Sequence, residues 1–596
     1  MDKDNTIGVV VGNTTTDSYS FILTSMKGSK GDLVYTEADI PASESNKPSR
    51  KVLVWGRILS INRTNTAFPS EIAQEIAKEQ IEIRETLAST DNEYQEAEVE
   101  ILGQCNENDT KEEQIFLKPL NYPVMPSAQV KTPDEILVKK LLSGDSKGEK
   151  LIHIGSLISR NDVDINISAS KIVARHMAIL AMTGGGKTVA ARRIIKGLSD
   201  FGYPMLIFDP HGDYLGLFSN KDKLKNKSDG SKISVKIYQP ALMAKGHDEV
   251  VEMITTLFTK FDLTLSSAQT DKFYEFIESN EAKKAFGDSH GVASAQTFDS
   301  KDIREHLTAF KDIVRKELES ESNKTTKRTI GAVLRTINQL IREIAAMQKT
   351  NQQLAKRLKS RDQSFEFENM PNLITDPDEV VRSNQISIFY LGGFSRLLQS
   401  MIVSITLETL FKNRSSLEEN RIGPFASIVE EAHNFVPGSG EEKKSTPSLL
   451  TIRKLLTEGR KFGTGVILIS QRPNRLDETT LAQCNSFLIL KLVNPRDQGW
   501  VQRVMEQMSD QDKEALKAFA NGQAFISGHA VKFPLQVQVK RDEELETSIM
   551  GDEDFINENE RHHKKTGANI KKRDENSESI SSIAKSAKKA KAKKKF

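Results

Sequence analysis

The residues best suited to chemistry stand in one short segment, AMTGGGKTVAARRII, which spans residues 181 to 195. Three consecutive glycines, Gly184 to Gly186, precede Lys187 and Thr188. Glycines let the backbone curl so that its N–H groups converge on phosphate oxygens, and a helix that begins there adds partial positive charge. The lysine would reach the terminal phosphates, and the threonine hydroxyl would bind Mg²⁺. The segment therefore predicts a phosphate-binding loop.

The flanks of this segment support the prediction. The apolar strand HMAILA precedes it and the amphipathic helix TVAARRIIKGL follows, which is the context that such a loop requires. Ala181 stands where a glycine is expected, and a methyl group fits there if the backbone keeps a negative φ. The alternative is a glycine-rich turn without a ligand. We expect ATP and Mg²⁺ as cofactors, with these residues in contact with the nucleotide: Thr183, Gly184, Gly185, Gly186, Lys187, Thr188 and Val189.

Two adjacent carboxylates end another apolar segment, PFASIVEEAHNF. Nucleotide hydrolysis needs a metal anchor and a group that activates water. We expect Glu430, with Thr188, to hold Mg²⁺ and Glu431 to polarise the attacking water, the alternative being a solvated strand end. His433 is open to either a catalytic role or a role in packing against or orienting a neighbour.

Polar side chains follow two further apolar strands. Gln471 ends GVILIS and is expected to contact the γ-phosphate or its water, unless it is an ordinary strand-end amide. Asp209, His211 and Asp213 follow YPMLIF at an edge where ligands bind in open α/β sheets, so they either assist the metal or water or form a turn.

Hydrolysis also needs positive charge opposite the transferred phosphoryl group. Arg460, in IRKLLTEGRKFG, and Arg175, in KIVARHMAIL, are the candidates, and each is alternatively a surface ion-pair residue. An arginine supplied by a neighbouring subunit implies a ring, because head-to-tail interfaces close by rotation.

Composition excludes several classes of protein. Of 596 residues, 37% are hydrophobic and 28% are charged, and no apolar run approaches the ~20 residues that span a bilayer. The first residues lack the features of a signal peptide, so a cytoplasmic protein without a membrane partner is expected. Cys105 and Cys484 are too few for a disulfide framework and are expected to be buried. The basic segment from Arg561 onward either binds phosphates or only solubilises the chain.

The distribution of patterns predicts an α/β fold with several parts. Short β-branched segments, from IGVVVG to EQIFLKPL, predict a small closed N-terminal barrel or sandwich, interrupted by a helix with Ile72, Ile76, Ile83 and Leu87 on one face. Alternating strands and helices then predict an α/β core with a parallel sheet covered on both faces. The expected divisions are 1–130 for the barrel, 131–245 and 376–541 for the core, 246–375 for a helical insertion, and 542–596 for a C-terminal extension with a disordered basic tail.

Helical periodicity marks the insertion. Ile303, Leu307, Phe310 and Ile313 form one apolar stripe, and a second runs through residues 334, 337, 341 and 344. The same segment carries cations that could face nucleic acid or form a solvated face: Arg342, Lys349, Lys356, Arg357, Lys359 and Arg361.

Five motifs together resemble the HerA family of DNA translocases, in the HerA and FtsK group: HMAILAMTGGGKT, IFDPHGDY, IVEEAHNFVP, EGRKFGTGVILISQRP and GHAVKFPLQVQVKR. The resemblance reaches from the N-terminal barrel to about residue 541. It implies a RecA-like ATPase core with a helical insertion and an N-terminal barrel. It also implies a homo-hexameric ATP-driven motor that threads double-stranded DNA, with a NurA-type nuclease, Mre11 and Rad50 as partners in end resection. It also implies the roles given above for Lys187, Thr188, Glu430, Glu431, Gln471 and Arg460.

Two other functions are compatible with such a loop. A polypeptide-pulling or secretion-coupling ATPase would be expected to carry pore aromatics or a membrane segment, and the loop PGSGEEKKSTPS, which holds Lys443 and Lys444, has no aromatic residue. A nucleotide-dependent scaffold would leave the paired glutamates without a purpose. Stimulation of ATP hydrolysis by linear duplex DNA distinguishes the translocase from both.

Overall fold

An N-terminal barrel and a large mixed sheet make up the fold. The structure, a computed structural model, describes residues 5–24, 27–41, 49–65, 93–143, 148–261, 265–286, 297–360, 365–417, 421–440, 445–505 and 508–545. The predicted helix with Ile72 and Leu87, the loop lysines 443 and 444, and the basic tail lie outside these residues.

Six antiparallel strands close the barrel: β1 (Thr6–Val11), β2 (Ser18–Leu23), β3 (Leu33–Ile40), β4 (Arg50–Asn65), β5 (Glu93–Asn106) and β6 (Gln129–Lys131), in the order β1-β2-β5-β4-β3-β6. Phe21, Val54 and Val99 are fully buried in its interior. Closure gives every strand of the barrel a partner on both sides, which is how a barrel removes open sheet edges. The predicted barrel is thereby confirmed.

The segment EQIFLKPL does not form the strand that we predicted. Its only β contact within the described barrel is a bridge between Gln104 and Lys118, and Phe116 is 53% exposed. Pro119 follows at once and has no N–H to continue a ladder. The barrel is closed instead by the three residues of β6, which were not predicted.

The second sheet has twelve strands: β7 (Leu151–Leu157), β8 (Asp164–Ser168), β9 (Met177–Leu180), β10 (Met205–Asp209), β11 (Ser234–Gln239), β14 (Phe367–Asn369), β15 (Gln385–Tyr390), β16 (Phe425–Val429), β17 (Thr464–Ser470), β18 (Ser486–Leu490), β19 (Gln523–Gly528) and β20 (Leu535–Val539). Their order is β14-β11-β15-β10-β16-β17-β9-β18-β19-β20-β7-β8. The short strands β12 (Ala244–Lys245) and β13 (Thr297–Phe298) form a separate pair.

The sheet is parallel from β14 to β18, as predicted, and antiparallel from β18 to β8. KLIHIGSL, which we expected to begin the parallel alternation, starts the β7–β8 hairpin instead. The reason is the short connection of residues 158–163, because a parallel crossover needs a dozen residues or more.

Fourteen helices are present in the described ranges: α1 (Glu135–Leu142), α2 (Ala169–Arg175), α3 (Lys187–Ser199), α4 (Gly216–Ser219), α5 (Gly246–Phe261), α6 (Ser267–Ile277), α7 (Asn280–Phe286), α8 (Ser300–Ser320), α9 (Lys324–Ser360), α10 (Arg396–Ser415), α11 (Pro447–Glu458), α12 (Glu478–Leu481), α13 (Pro495–Val504) and α14 (Asp510–Ala518). None of the helices in the described part of the chain is both long and apolar enough to cross a bilayer.

The helical insertion consists of α5 to α9 and leaves the sheet after β11. Ile303, Leu307 and Phe310 of α8 are buried, as are Ile337 and Ile344 of α9. These positions belong to the predicted stripes, whose other members, Ile313, Leu334 and Ile341, are only partly buried. Together they hold α8 and α9 as a hairpin. The buried aromatic side chains of the insertion join the same core as the parallel strands.

A buried ion pair connects the barrel to the core. Arg57 of β4 donates to both oxygens of Asp512 of α14, at 3.1 and 2.7 Å, and to Glu100 of β5 at 2.8 Å. Arg57 and Asp512 are each 1% exposed. Two buried opposite charges with paired hydrogen bonds fix the orientation of their elements.

Candidate nucleotide-binding site

The glycine-rich loop lies between the end of β9 at Leu180 and the start of α3 at Lys187. The Gly185 N–H donates to the Met182 carbonyl at 3.0 Å, which closes a tight turn. Gly186 has φ of +93°, and a Cβ there would lie 3.2 Å from the backbone nitrogen of Gly522. Both facts require glycine at 186. Ala181 is buried and is not among the residues of positive φ, so its methyl group is accommodated.

The start of α3 presents backbone donors to the loop. The N–H of Ala190 donates to the Gly186 carbonyl at 3.0 Å, which is the first turn of the helix. A helix has no internal acceptor for its first N–H groups, so those of Lys187, Thr188 and Val189 point out of its N-terminus. Donors in this arrangement, with the helix dipole behind them, bind phosphate.

Lys187 lies between the two predicted carboxylates. Its Nζ is 3.0 Å from Oε1 of Glu431 and is also in contact with Oε1 of Glu430. Burial alone would lower the pKa of the Lys187 amine, but the two carboxylates raise it above its ordinary value. The amine is therefore charged. It is bound to two carboxylates, and phosphate oxygens would compete with these carboxylates for it.

Glu430 follows β16 and is fully buried. Its Oε2 accepts a hydrogen bond from the hydroxyl of Tyr214 at 2.6 Å, and Tyr214 is itself fully buried. Burial raises the pKa of Glu430 to about 7, against the opposing effects of Lys187 and Tyr214. No sequence pattern predicted a role for Tyr214, because nothing local pairs residue 214 with residue 430.

Glu431 adopts a backbone conformation that is rare for its type. Its φ of +52° lies in the left-handed region, which costs a non-glycine residue of order 1–2 kcal/mol. Strain of this kind is kept where it places a side chain, and here it turns Glu431 toward Lys187. The ring nitrogen Nδ1 of His433 is 3.2 Å from Oε2 of Glu431 and 3.2 Å from Oγ of Ser470.

Burial lowers the pKa of His433 to about 4, so the ring is neutral near pH 7. The ring is bonded to Ser470 and packs against the Glu431 carboxylate, and because it is neutral it adds no charge beside that carboxylate. Of the two roles left open for His433, the geometry supports orientation.

Two more predicted residues have distinct positions. The hydroxyl of Thr183 donates to Oε1 of Gln471 at 2.6 Å, so the structure brings Gln471 to the loop. Asp209 is buried and accepts from the N–H groups of residues 211 to 214, at 3.1, 2.7, 3.1 and 2.9 Å. Burial raises its pKa to about 6. Asp209 thus organises the turn, which was one of its two predicted roles.

Arg175 and Arg460 lie at the opposite edge of the sheet. Arg175 ends α2, directly before β9, and Arg460 lies in the turn before β17, whereas the loop and Gln471 follow the far ends of these strands. The strands, of 4 and 7 residues, separate the two edges by about 13 and 23 Å. The structure does not bring either arginine to the loop of its own chain.

The arginines share this second edge with a histidine. Nη1 of Arg175 is 3.1 Å from Nε2 of His529. Burial, followed by the charges of Arg175, Lys171 and Arg460, lowers the pKa of His529. His529 was not predicted, because it follows β19 and meets Arg175 only through the antiparallel half of the sheet.

The donor set at the loop fits a magnesium ion. Thr188, which carries a hydroxyl, follows Lys187 in the first turn of α3, and the Glu430 carboxylate contacts Lys187. Within the described residues no group of three or more histidine, cysteine or acidic side chains could hold a metal ion. Mg²⁺ is typically held by one or two such oxygens together with substrate phosphates and water, so a sparse oxygen site of this kind suits it.

Comparisons with known proteins cover both the barrel and the core. A family model described as the helicase HerA central domain matches residues 152–410. The DNA double-strand break repair helicase HerA of Pyrococcus furiosus is 28% identical over 567 residues, which cover 90% of this chain and 93% of that protein. The protein of the same name from Saccharolobus solfataricus is 24% identical over 564 residues, covering 93% and 95%.

Among solved structures, VirB4 of Thermoanaerobacter pseudethanolicus matches with a TM-score of 0.44 and 14% sequence identity, over 68% of this chain and 100% of that chain.

Proposed function

Because the chain belongs to the HerA family of P-loop ATPases, we propose that it hydrolyses ATP to move along double-stranded DNA in the repair of double-strand breaks. The observation that carries this proposal is the separation of charges on the sheet. Lys187, Glu430, Glu431 and Gln471 lie at one edge, and the arginines lie at the other. A single chain therefore has half of a hydrolytic site at each edge.

The first edge supplies phosphate binding and water activation. The helix N-terminus and Lys187 would bind the phosphates of ATP, which requires the amine to leave at least one carboxylate. Glu431, oriented by His433, would then accept a proton from the attacking water. Mg²⁺ held by Thr188 and Glu430 would neutralise phosphate charge. Gln471, bonded to Thr183, would report the state of the nucleotide to β17.

The second edge would complete the site of a neighbouring subunit. Arg460 and Arg175 would face the phosphates bound by the next protomer, with His529 fixing the Arg175 guanidinium. Head-to-tail contacts of this kind close into a ring, and we propose a homo-hexamer. Hydrolysis at each interface would then shift the subunits relative to DNA in the pore.

The partners follow from the family resemblance and from the names of the relatives. Two relatives are named DNA double-strand break repair helicases. We propose that this chain acts in the cytoplasm with a NurA-type nuclease on broken DNA ends, together with Mre11 and Rad50.

The first test is ATP hydrolysis with and without linear duplex DNA. Native protein is expected to hydrolyse ATP faster with duplex DNA. Glu431→Gln should keep ATP binding and abolish turnover, whereas Lys187→Ala should weaken ATP binding itself. Glu458→Gln, which changes an exposed carboxylate at the end of α11, is the matched control and should behave as native. Equal turnover by Glu431→Gln would remove Glu431 from the mechanism.

A second test addresses the site between subunits. Arg460→Ala and Glu431→Gln chains are each expected to be inactive alone, but a mixture should recover some hydrolysis at interfaces where native residues meet. Lys461→Ala, the adjacent exposed cation, should stay active. If mixing restores nothing, the arginine does not act on a neighbour.

A further inference from the structure

The long helix α9 carries a regular row of positive charges. Its 37 residues include nine lysines or arginines and one acid, Glu343. Five of the cations recur every seventh residue: Arg328, Arg335, Arg342, Lys349 and Lys356. All five are exposed. These five residues form the cation row.

The cation row lies opposite the face that packs into the bundle. Ile330, Ile337 and Ile344 are buried, as are Val333 and Leu340. These apolar positions form the a and d sites of a heptad, which places the cation row at the f position, farthest from the seam. A seven-residue spacing drifts by only about 20° per repeat on a straight helix, so the row stays on one side.

The positions beside the cation row carry no acid. Gln339, Ala346, Gln352 and Gln353 are exposed neighbours, and all are neutral. Glu343 is turned away, because it accepts a hydrogen bond from the Ser395 hydroxyl at 2.8 Å. Among the described residues, none of the five cations of the row forms an ion pair. This face of α9 is thus positively charged, and no ion pair within the described residues compensates its charge.

The partner helix of the same hairpin is different. Helix α8 carries five cations and five acids. Lys301 approaches Glu305 at 3.9 Å and Arg315 approaches Glu319 at 3.4 Å, one turn apart in each case. Such pairs are how exposed helices ordinarily balance charge. The net charge of α8 is zero, so the excess on α9 is specific to that helix.

We propose that the cation row binds the phosphate backbone of double-stranded DNA, outside the nucleotide site. Successive members are about 10.5 Å apart and the row is about 42 Å long, since a helix rises about 1.5 Å per residue. A duplex carries one phosphate charge per about 1.7 Å of its axis, so phosphates are available to every cation along this length. Contacts of this kind position DNA without reading its sequence.

The row is also connected to the edge that holds the nucleotide site. Asn351 donates to the Pro240 carbonyl at 2.8 Å, and Pro240 directly follows β11. Ser395, bonded to Glu343, is the N-cap of α10, which follows β15. The second half of α9 therefore rests on the loops that leave the carboxyl ends of the parallel strands. DNA held by the row would lie beside the motor core.

This inference rests on the proposed DNA substrate, and one experiment separates the two. The row variant changes all five cations to glutamine, which keeps helix propensity. Binding of a 40-base-pair duplex is measured by fluorescence anisotropy between 50 and 200 mM salt. Five phosphate contacts account for about a 500-fold loss of affinity over this range, since the slope is about −0.9 per contact. The row variant is expected to lose the part of the salt dependence that these five contacts supply.

The matched control removes the same number of charges from α8, by changing Lys301, Arg304, Lys311, Arg315 and Lys316 to glutamine. It should keep the native salt dependence within about one contact. Both variants should retain native ATP hydrolysis without DNA, which checks folding. A smaller variant, R335Q/R342Q/K349Q, should lose about three contacts if the full variant does not fold.

Equal losses in the row and control variants would overturn the inference, because the effect would be one of net charge. Native-like binding by the row variant would overturn it and leave the proposed function intact. No DNA binding by the native protein would overturn both.

Discussion

The ion triad at the phosphate loop predicts a stability effect that is separate from catalysis. The Lys187 side chain is 11% exposed, and those of Glu430 and Glu431 are 0% and 5% exposed. Lys187→Met would leave two buried carboxylates without their cation, and breaking a buried pair costs about 3–5 kcal/mol. Glu430→Gln leaves Lys187 paired with Glu431 and should cost less. The double variant removes one charge of each sign and should be more stable than the sum of the two single effects predicts.

The assay is urea unfolding of ligand-free protein at pH 8, where Glu430, with a pKa of about 7, is ionised. We expect the double variant to recover about 2 kcal/mol relative to additivity. At pH 6 the cost of Lys187→Met should shrink, because Glu430 can take up a proton. Lys461→Met is the control for a cation in solvent and should change little. Additive effects within about 0.5 kcal/mol would refute the triad as described.

Three further predictions concern other buried contacts. Arg57→Met should lower the free energy of unfolding, measured in urea, by about 3–5 kcal/mol, and adding Asp512→Leu should restore part of that loss. If the second change restores nothing, the cost does not come from leaving Asp512 without its cation. His176, whose pKa burial lowers to about 4, should make the native protein lose up to about 3 kcal/mol as pH falls from 6.5 to 4, because the unfolded chain binds the proton first. In His176→Asn the free energy of unfolding should fall less steeply with pH over this range. If native and variant stabilities fall in parallel, His176 is not the cause of the decline. Gly186→Ala should weaken binding of a fluorescent ATP analogue at least tenfold, because its Cβ would meet Gly522 at positive φ; native affinity would exclude that strain.

Contiguous features of this chain were readable from the sequence. The phosphate loop is a run of neighbouring residues whose strand and helix flank it directly, and Glu430 and Glu431 end a strand that is apolar throughout. The barrel strands alternate, and the insertion helices repeat with a helical period. Each of these signals lies within one window of sequence.

Contacts between distant segments were not readable. Tyr214 meets Glu430 only because β10 and β16 are neighbours in the sheet. Arg57 and Asp512 are 455 positions apart. The antiparallel half of the sheet was missed because apolar strands look alike whichever direction their partner runs.

The placement of Arg175 and Arg460 at the opposite edge follows from parallel strands, since each precedes a strand whose far end bears the site.

The most direct test of the proposed motor is displacement of a third strand from linear duplex DNA. Native protein with ATP should release the third strand, and Glu431→Gln should bind the duplex and ATP without releasing it. Native protein that hydrolyses ATP at a rate stimulated by duplex DNA, yet releases no third strand, would contradict translocation.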